Sequence, residues 1–135
     1  NMMNIIEAHL RNDLTDYRRA KNQDMVTLIS TALGECTRKV KEPTEAECVK
    51  TIATIVENME FTLEKKGLDL KLVNDITYLS DFLPQMLRDD EIVDIIKMNN
   101  FVALKDFMAY MKVSNANRYD GKVAKTLFEQ HHANS

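Results

Sequence analysis

The chain has 135 residues, of which 44% are hydrophobic and 29% are charged, and its formal net charge is −3. This composition is that of one globular domain or of two small subdomains. The negative net charge excludes a globally basic protein that binds nucleic acid through phosphate contacts over its whole surface. With only three glycines and two prolines, the chain lacks the frequent turns that an all-β fold requires. We therefore predict an all-α protein.

The first two predicted helices form a hairpin. Apolar residues recur at helical spacing over residues 3–17 and again over residues 25–40, so each segment presents one apolar stripe. Residues 22–23 mark a short break between the two helices. The second helix is expected to end near Glu42, because the residue before Pro43 avoids the helical region.

A capping box opens the third predicted helix and is the strongest local signal in the sequence. The Thr44 hydroxyl is placed to accept from the third amide, while the Glu47 carboxylate is placed to accept from the Thr44 amide. Gly67 is expected to end this helix, since glycine favours the left-handed conformation of a C-terminal cap. Asp69 then starts a fourth helix, whose apolar face continues to Leu83.

Pro84 separates these helices from a smaller C-terminal unit. We predict an N-terminal helical subdomain of about four helices at residues 1–83 and a three-helix subdomain at residues 84–135. The acidic residues at 89–91 suit the N-terminus of the first short helix, where the helix dipole favours negative charge. A polar loop at residues 114–118 separates the last two helices.

Charge is distributed unevenly along the chain. Residues 1–42 hold seven basic and six acidic side chains, residues 43–83 hold four and eight, and residues 84–135 hold seven of each. The third and fourth helices are therefore acidic. The C-terminal unit is neutral, which leaves it free to present a local basic patch to a nucleic acid.

The common catalytic and metal-binding motifs are missing from the sequence. It contains no glycine-rich phosphate loop, no GxSxG and no HExxH. His9 lies beside an apolar stripe, and His131 and His132 are adjacent. Adjacent side chains on a helix point about 100° apart and chelate a metal poorly. We therefore expect a protein that is not an enzyme and that uses no cofactor and no metal.

The two cysteines indicate a reducing compartment. Cys36 and Cys48 lie on apolar helical faces, with neither a CxxC motif nor a histidine at ligand spacing. We interpret them as free thiols of the core. With no recognisable signal peptide and no apolar segment long enough to span a membrane, the predicted location is the cytoplasm.

Two basic clusters end the first two helices. Arg18, Arg19 and Lys21 end the first, and residues 38–41 include three further cations. Attraction to the helix C-terminus explains both clusters, but Arg18, Arg19 and Lys21 are also candidate phosphate contacts. In an antiparallel hairpin the two clusters lie about 30 Å apart and form no single patch.

Two further sets of side chains are candidates for protein interaction. The first set consists of glutamates that lie on one face of the third helix, because they are spaced three and four residues apart. This face is either solvated or binds a basic protein. The second is a methionine-rich face on a short helix, which either packs in the core or docks on a partner. The members of the two sets are Glu57, Glu60 and Glu64, and Phe107, Met108 and Met111.

Three segments share their order and spacing with one known family. LTDYRRAKNQDMVTLISTAL at residues 14–33 joins a helix to a longer one through an Ala-Lys turn. YLSDFLPQML at residues 78–87 holds a tyrosine-leucine-proline-glutamine joint, and YDGKVAK at residues 119–125 opens the last helix at an Asp-Gly turn. Over nearly the whole chain, these segments resemble the GatB/YqeY family.

This resemblance implies a helical N-terminal part, a small three-helix C-terminal part and a non-catalytic role. In the family, the module forms the tail of the B subunit of the tRNA-dependent amidotransferase and contacts tRNA, while amidation takes place in another domain. The resemblance therefore implies tRNA as a partner, with Arg118, Lys122 and Lys125 as candidate phosphate contacts. The alternative is an adaptor that binds a translation enzyme, such as an aminoacyl-tRNA synthetase or amidotransferase, without touching RNA.

The chain departs from the family at positions that bear on RNA binding. Where the family places basic residues along the second and third helices, this chain has Met25, Ser30, Asn58 and Glu60. The run over residues 105–120 also contains no glycine. These departures remove RNA contacts and keep the adaptor alternative open.

Overall fold

The computed structural model describes residues 3–132, and within them every regular element is an α-helix, which confirms the all-α class. None of the helices in this part of the chain combines the length and apolar character needed to cross a membrane. The chain divides into two compact units, Asn1–Leu83 and Pro84–Ser135. The helices are α1 (Ile5–Arg19), α2 (Gln23–Arg38), α3 (Glu45–Lys66), α4 (Leu70–Ser80), α5 (Asp89–Met98), α6 (Leu104–Ser114) and α7 (Gly121–His132).

The core of the first unit draws one fully buried aliphatic side chain from each of its four helices. These are Leu10 of α1, Ile29 of α2, Ile52 of α3 and Leu79 of α4. Burying a side chain of this size contributes about 1.5–3 kcal/mol. The four helices therefore close around a common apolar centre, and their other faces are left for polar contacts.

The predicted ends of α3 and the start of α4 are confirmed. The Glu47 amide donates to Thr44 Oγ1 at 3.1 Å, and the Thr44 amide donates to Glu47 Oε1 at 2.9 Å. Gly67 caps the C-terminus of α3 with a φ of 89°, which glycine adopts without steric cost. The Leu72 amide donates to Asp69 Oδ1 at 3.1 Å, which fixes the start of α4.

The prediction for the α1–α2 hairpin is wrong in two details. The break covers residues 20–22, and Gln23 is already the first residue of α2. The second helix ends at Arg38 rather than near Glu42. Val40 remains 40% exposed, so extending the helix through this residue would bury little apolar surface.

The second unit packs α5, α6 and α7 around a small aromatic core. The Phe107 ring of α6 stacks on the Phe128 ring of α7 with centroids 5.0 Å apart. The Leu87 amide donates to the Arg118 carbonyl at 2.7 Å, which joins the segment before α5 to the loop before α7. The buried members of this core are Ile92, Ile96, Phe107, Met111, Ala124 and Phe128.

Candidate binding surfaces

Lys122 and Lys125 lie exposed on the first two turns of α7. The Lys122 and Val123 amides donate to Asp120 Oδ1 at 2.8 and 3.3 Å, so Asp120 caps the helix. The spacing of three places both lysines on one face. Positive charge in the first turn of a helix is opposed by the helix dipole. Helix stability therefore does not account for Lys122, and the pair is available to an anionic ligand.

The Arg118 side chain binds within its own unit. Its Nε donates to the Gln85 carbonyl at 2.9 Å, and its Nη1 lies 3.5 Å from Asn115 Oδ1. These contacts hold the loop before α7 against the segment before α5. We assign Arg118 this structural role, which the sequence pattern did not indicate.

Arg18, Arg19 and Lys21 surround the exposed C-terminal end of α1. Lys21 has a φ of 56°, and its amide donates to the Arg18 carbonyl at 3.1 Å, which reverses the chain towards α2. Within residues 3–132, none of the three forms an ion pair. Their position at a helix C-terminus is favoured by the dipole, so helix stability accounts for them without a ligand.

Glu57, Glu60 and Glu64 form an exposed line along α3, which we call the acidic ridge. In the described part of the chain, none of them forms an ion pair. Like charges three and four residues apart oppose helix formation by about 0.2–0.5 kcal/mol per pair. Helix stability therefore does not account for the ridge.

An exposed aromatic side chain lies within the acidic ridge and was missed by the sequence analysis. Phe61 is 58% exposed, and Lys65 Nζ lies 4.6 Å from the centroid of its ring. Phe61 follows Glu57 by four positions on α3, a spacing that places the two side chains on the same face of the helix. The sequence feature that could have indicated this exposed ring was the position of Phe61 outside the apolar stripe of α3.

Of the two alternatives for the methionine-rich face on α6, docking is wrong and the side chains pack in the core. Phe107 and Met111 are both 0% exposed and form the centre of the second unit. Met108 is partly buried and packs against the same core. A unit of three short helices has few large apolar side chains with which to form a core, so these residues are used inside.

A groove of about 760 Å³ lies between α2 and α3. Ile55 and Met59 of α3 contribute apolar lining, together with Leu72 of α4. Lys39 and Lys50 lie at the end where α2 finishes and α3 begins. The sequence analysis missed this groove. The signal for it was a stripe of uncharged polar residues on α3, which comprises Thr51, Thr54, Asn58 and Thr62.

The two cysteines are confirmed as free, buried thiols. Burial, followed by the influence of the neighbouring Cys48, raises the pKa of Cys36 to about 12. The Asn4 side-chain amide donates to Cys48 Sγ at 3.3 Å. A thiol with so high a pKa remains protonated and is a poor nucleophile, so Cys36 is a core residue.

A polar cluster joins α1 to α4 in the first unit. The Tyr78 hydroxyl donates to Asp13 Oδ2 at 2.6 Å, and His9 Nε2 lies 3.5 Å from the same oxygen. Burial, followed by the hydrogen bond to Asp13, raises the pKa of Tyr78 above its ordinary value. None of the three residues lines the groove, and we assign the cluster a structural role.

The adjacent histidines are the last residues of α7, where the His132 ring stacks on Phe128 with centroids 4.4 Å apart. Over residues 3–132, no group of three or more His, Cys, Asp or Glu side chains is arranged to hold a metal ion.

Comparison with known proteins does not assign the chain to a family. No protein-family model matches the sequence, and no curated protein matches it. The resemblance to the GatB/YqeY family therefore stays a prediction that depends on the three segments at residues 14–33, 78–87 and 119–125.

Proposed function

We propose that this chain is a non-catalytic cytoplasmic module that binds tRNA and acts with the machinery that aminoacylates or amidates it. The main support is the exposed pair Lys122 and Lys125 on one face at the start of α7. The helix dipole disfavours the positive charge of Lys122 in the first turn. The segment that contains this pair also resembles the family whose members contact tRNA.

The lysine pair would act by neutralising phosphates. Each ammonium group that contacts a phosphate displaces a condensed counterion. The more such contacts there are, the more steeply the affinity falls as the salt concentration rises. With Arg118 bound within the fold, Lys122 and Lys125 are the two remaining candidates of the second unit. Arg18, Arg19 and Lys21 form a separate candidate patch in the first unit.

The test is fluorescence anisotropy with labelled bulk tRNA over a series of salt concentrations. The double variant Lys122→Glu/Lys125→Glu should weaken binding at low salt by about tenfold or more, and lower the slope of log K against log salt by about two. The matched control is Lys105→Glu/Lys112→Glu, which changes two exposed lysines of α6. Absence of binding by the unmodified chain at low salt would refute the proposal.

A second candidate function is a protein-binding adaptor for a translation enzyme, and the acidic ridge favours it. Glu57, Glu60 and Glu64 repel one another on α3 without ion-pair partners among the described residues. A basic protein surface would neutralise them. The exposed Phe61 ring would add apolar contact of the kind that aromatic residues provide at interfaces.

The adaptor candidate is tested by capture from nuclease-treated lysate, with bound proteins identified by mass spectrometry. The triple variant Glu57→Gln/Glu60→Gln/Glu64→Gln should lose a translation enzyme that the unmodified chain retains. The control replaces three exposed acids elsewhere, by Glu42→Gln, Asp81→Asn and Glu129→Gln. Loss of the partner on nuclease treatment would instead support binding through RNA.

A further inference from the structure

We propose that the groove between α2 and α3 binds an amphipathic helix of a protein partner, with the acidic first turn of that helix beside Lys39 and Lys50. The inference rests on the lining of the groove and is independent of the proposed tRNA contact. Neither Lys122 nor the acidic ridge lines this groove.

The length of the groove suits a helix. Its lining on α3 extends from Glu47 to Thr62, which corresponds to about 22 Å at 1.5 Å per residue. Ile55 and Met59 are spaced four apart on α3, and Leu72 adds an apolar contact from α4. All three are only partly buried, so they leave apolar surface for the side chains of a bound helix.

The walls are less polar than their residue types suggest. The Thr54 hydroxyl donates to the Lys50 carbonyl at 3.1 Å, and the Thr62 hydroxyl donates to the Asn58 carbonyl at 3.0 Å. Because these hydroxyls are satisfied by their own helix, the threonines can offer their methyl groups to a ligand without losing a hydrogen bond.

Charge divides the groove into two ends. The charged lining residues all lie where α2 finishes and α3 begins, and the far end, around Thr62 and Leu72, is uncharged. Arg38 Nε lies 3.5 Å from Glu35 Oε2, which pairs these two side chains. Within residues 3–132, Lys39 and Lys50 have no ion-pair partner.

The Glu47 carboxylate at this end accepts from the Thr44 amide at 2.9 Å and keeps its negative charge. The charged lining residues are Glu35, Arg38, Lys39, Glu47 and Lys50. This end therefore carries a net positive charge, with two ammonium groups unpaired among the described residues. A ligand that is apolar along its length and anionic at one end complements this arrangement.

An amphipathic helix fits these features better than an acyl chain. The lining residues Thr31, Thr54, Asn58 and Thr62 are exposed, so the groove is open along its side. A bound helix keeps its polar face in water, whereas an acyl chain would leave apolar surface exposed. Acidic residues are favoured in the first turn of a helix, so the partner helix would run parallel to α3.

The test uses a fluorescein-labelled synthetic peptide of about 16 residues, long enough to span the groove. It has aspartate and glutamate in its first turn, leucine at helical spacing on one face and glutamine on the other. A second peptide has the same composition, with the acidic residues moved to its last turn. Binding is measured by anisotropy and mapped by amide chemical shifts.

The unmodified chain should bind the first peptide about fivefold or more tightly than the second, and chemical-shift changes should cluster at the groove. Thr54→Arg, which places a long side chain in the groove, should weaken binding about tenfold. Lys39→Glu/Lys50→Glu should remove the preference between the two peptides. Lys105→Glu/Lys112→Glu is the charge control and should change neither result. Circular dichroism checks that each variant is folded.

Equal affinity for the two peptides, or undiminished binding by folded Thr54→Arg, would overturn the proposal. Binding of palmitate at the groove in place of the peptide would identify an acyl chain as the occupant. Concentration-dependent dimerisation that Thr54→Arg abolishes would identify a second copy. Either of these last two results would also overturn the proposal.

Discussion

The Tyr78 hydroxyl donates a 2.6 Å hydrogen bond to Asp13 Oδ2, and the two residues are 65 positions apart in the sequence. The bond connects α4 to α1, the last helix of the first unit to its first. Hydrogen bonds to charged groups contribute about 1.5–3 kcal/mol. This contact is therefore a large single contribution to the closure of the four-helix unit.

Replacing Tyr78 by phenylalanine removes this hydrogen bond while it keeps the ring. We expect Tyr78→Phe to lower the free energy of unfolding by about 1.5–3 kcal/mol, as measured by urea denaturation. Tyr110→Phe, at an exposed tyrosine of α6, is the matched control and should change stability by less than about 0.5 kcal/mol. Equal stability of the two variants would contradict the role assigned to the Tyr78–Asp13 contact.

Stability should fall in alkaline solution. In the folded chain, burial and the neighbouring Cys48 raise the pKa of Cys36 from 9.0 to about 12, and burial and the hydrogen bond to Asp13 raise that of Tyr78 from 10.0. When the pH exceeds the ordinary pKa values, these groups lose their protons in the unfolded chain but keep them in the folded chain. The free energy of unfolding therefore falls as the pH rises. Each group contributes up to about 1.4 kcal/mol per pH unit.

The measurement is urea denaturation at pH values from about 8 to 11. The slope of stability against pH should be shallower for Cys36→Ala above pH 9, and for Tyr78→Phe above pH 10, than for the unmodified chain. Stability that is constant over this range would show that the two groups titrate alike in the folded and unfolded chain.

The start of α3 depends on its capping box. Thr44→Ala removes the acceptor of the Glu47 amide, and we expect it to destabilise the chain by about 1 kcal/mol. Thr15→Ala is the matched control, because the Thr15 hydroxyl donates to the Arg11 carbonyl of its own helix on the exposed surface of α1. If Thr44→Ala lowers the free energy of unfolding by no more than the control does, the cap contributes little to stability.

The capping box also illustrates how much of the fold the sequence predicts. Thr44, Glu47, Gly67 and Asp69 act through the local backbone, so their residue types alone indicate where α3 begins and ends and where α4 begins. The all-α class follows from periodicity in the same way. Val40 shows the limit, because its place at the end of the α2 stripe says nothing about whether another element covers it.

The candidate sites were less predictable because they depend on packing between helices. The helical spacing of Phe107 and Met111 is compatible with either a docking face or a buried core. These side chains are buried because of the way α5, α6 and α7 pack together. Arg118 becomes structural through Gln85, 33 positions away. The groove depends on how α2, α3 and α4 are placed around it, and the stripe of uncharged polar residues on α3 indicates only one of its walls.

The two units have separate apolar cores, and a core mutation should act mainly on its own unit. Phe107→Ala should destabilise the second unit by about 3–5 kcal/mol, through lost burial and the cavity left behind. Amide hydrogen exchange should then accelerate throughout α5, α6 and α7, while the amides of Leu10 and Ile29 in the first unit remain protected. Equal acceleration in both units would show that they unfold as one.

The most direct test of the proposed function is an amide chemical-shift titration of the full chain with bulk tRNA at low salt. We predict shift changes centred on the first two turns of α7, at residues 121–125, and their loss in Lys122→Glu/Lys125→Glu but not in Lys105→Glu/Lys112→Glu. An unchanged spectrum at low salt, or changes that the double variant at Lys122 and Lys125 retains in full, would contradict it.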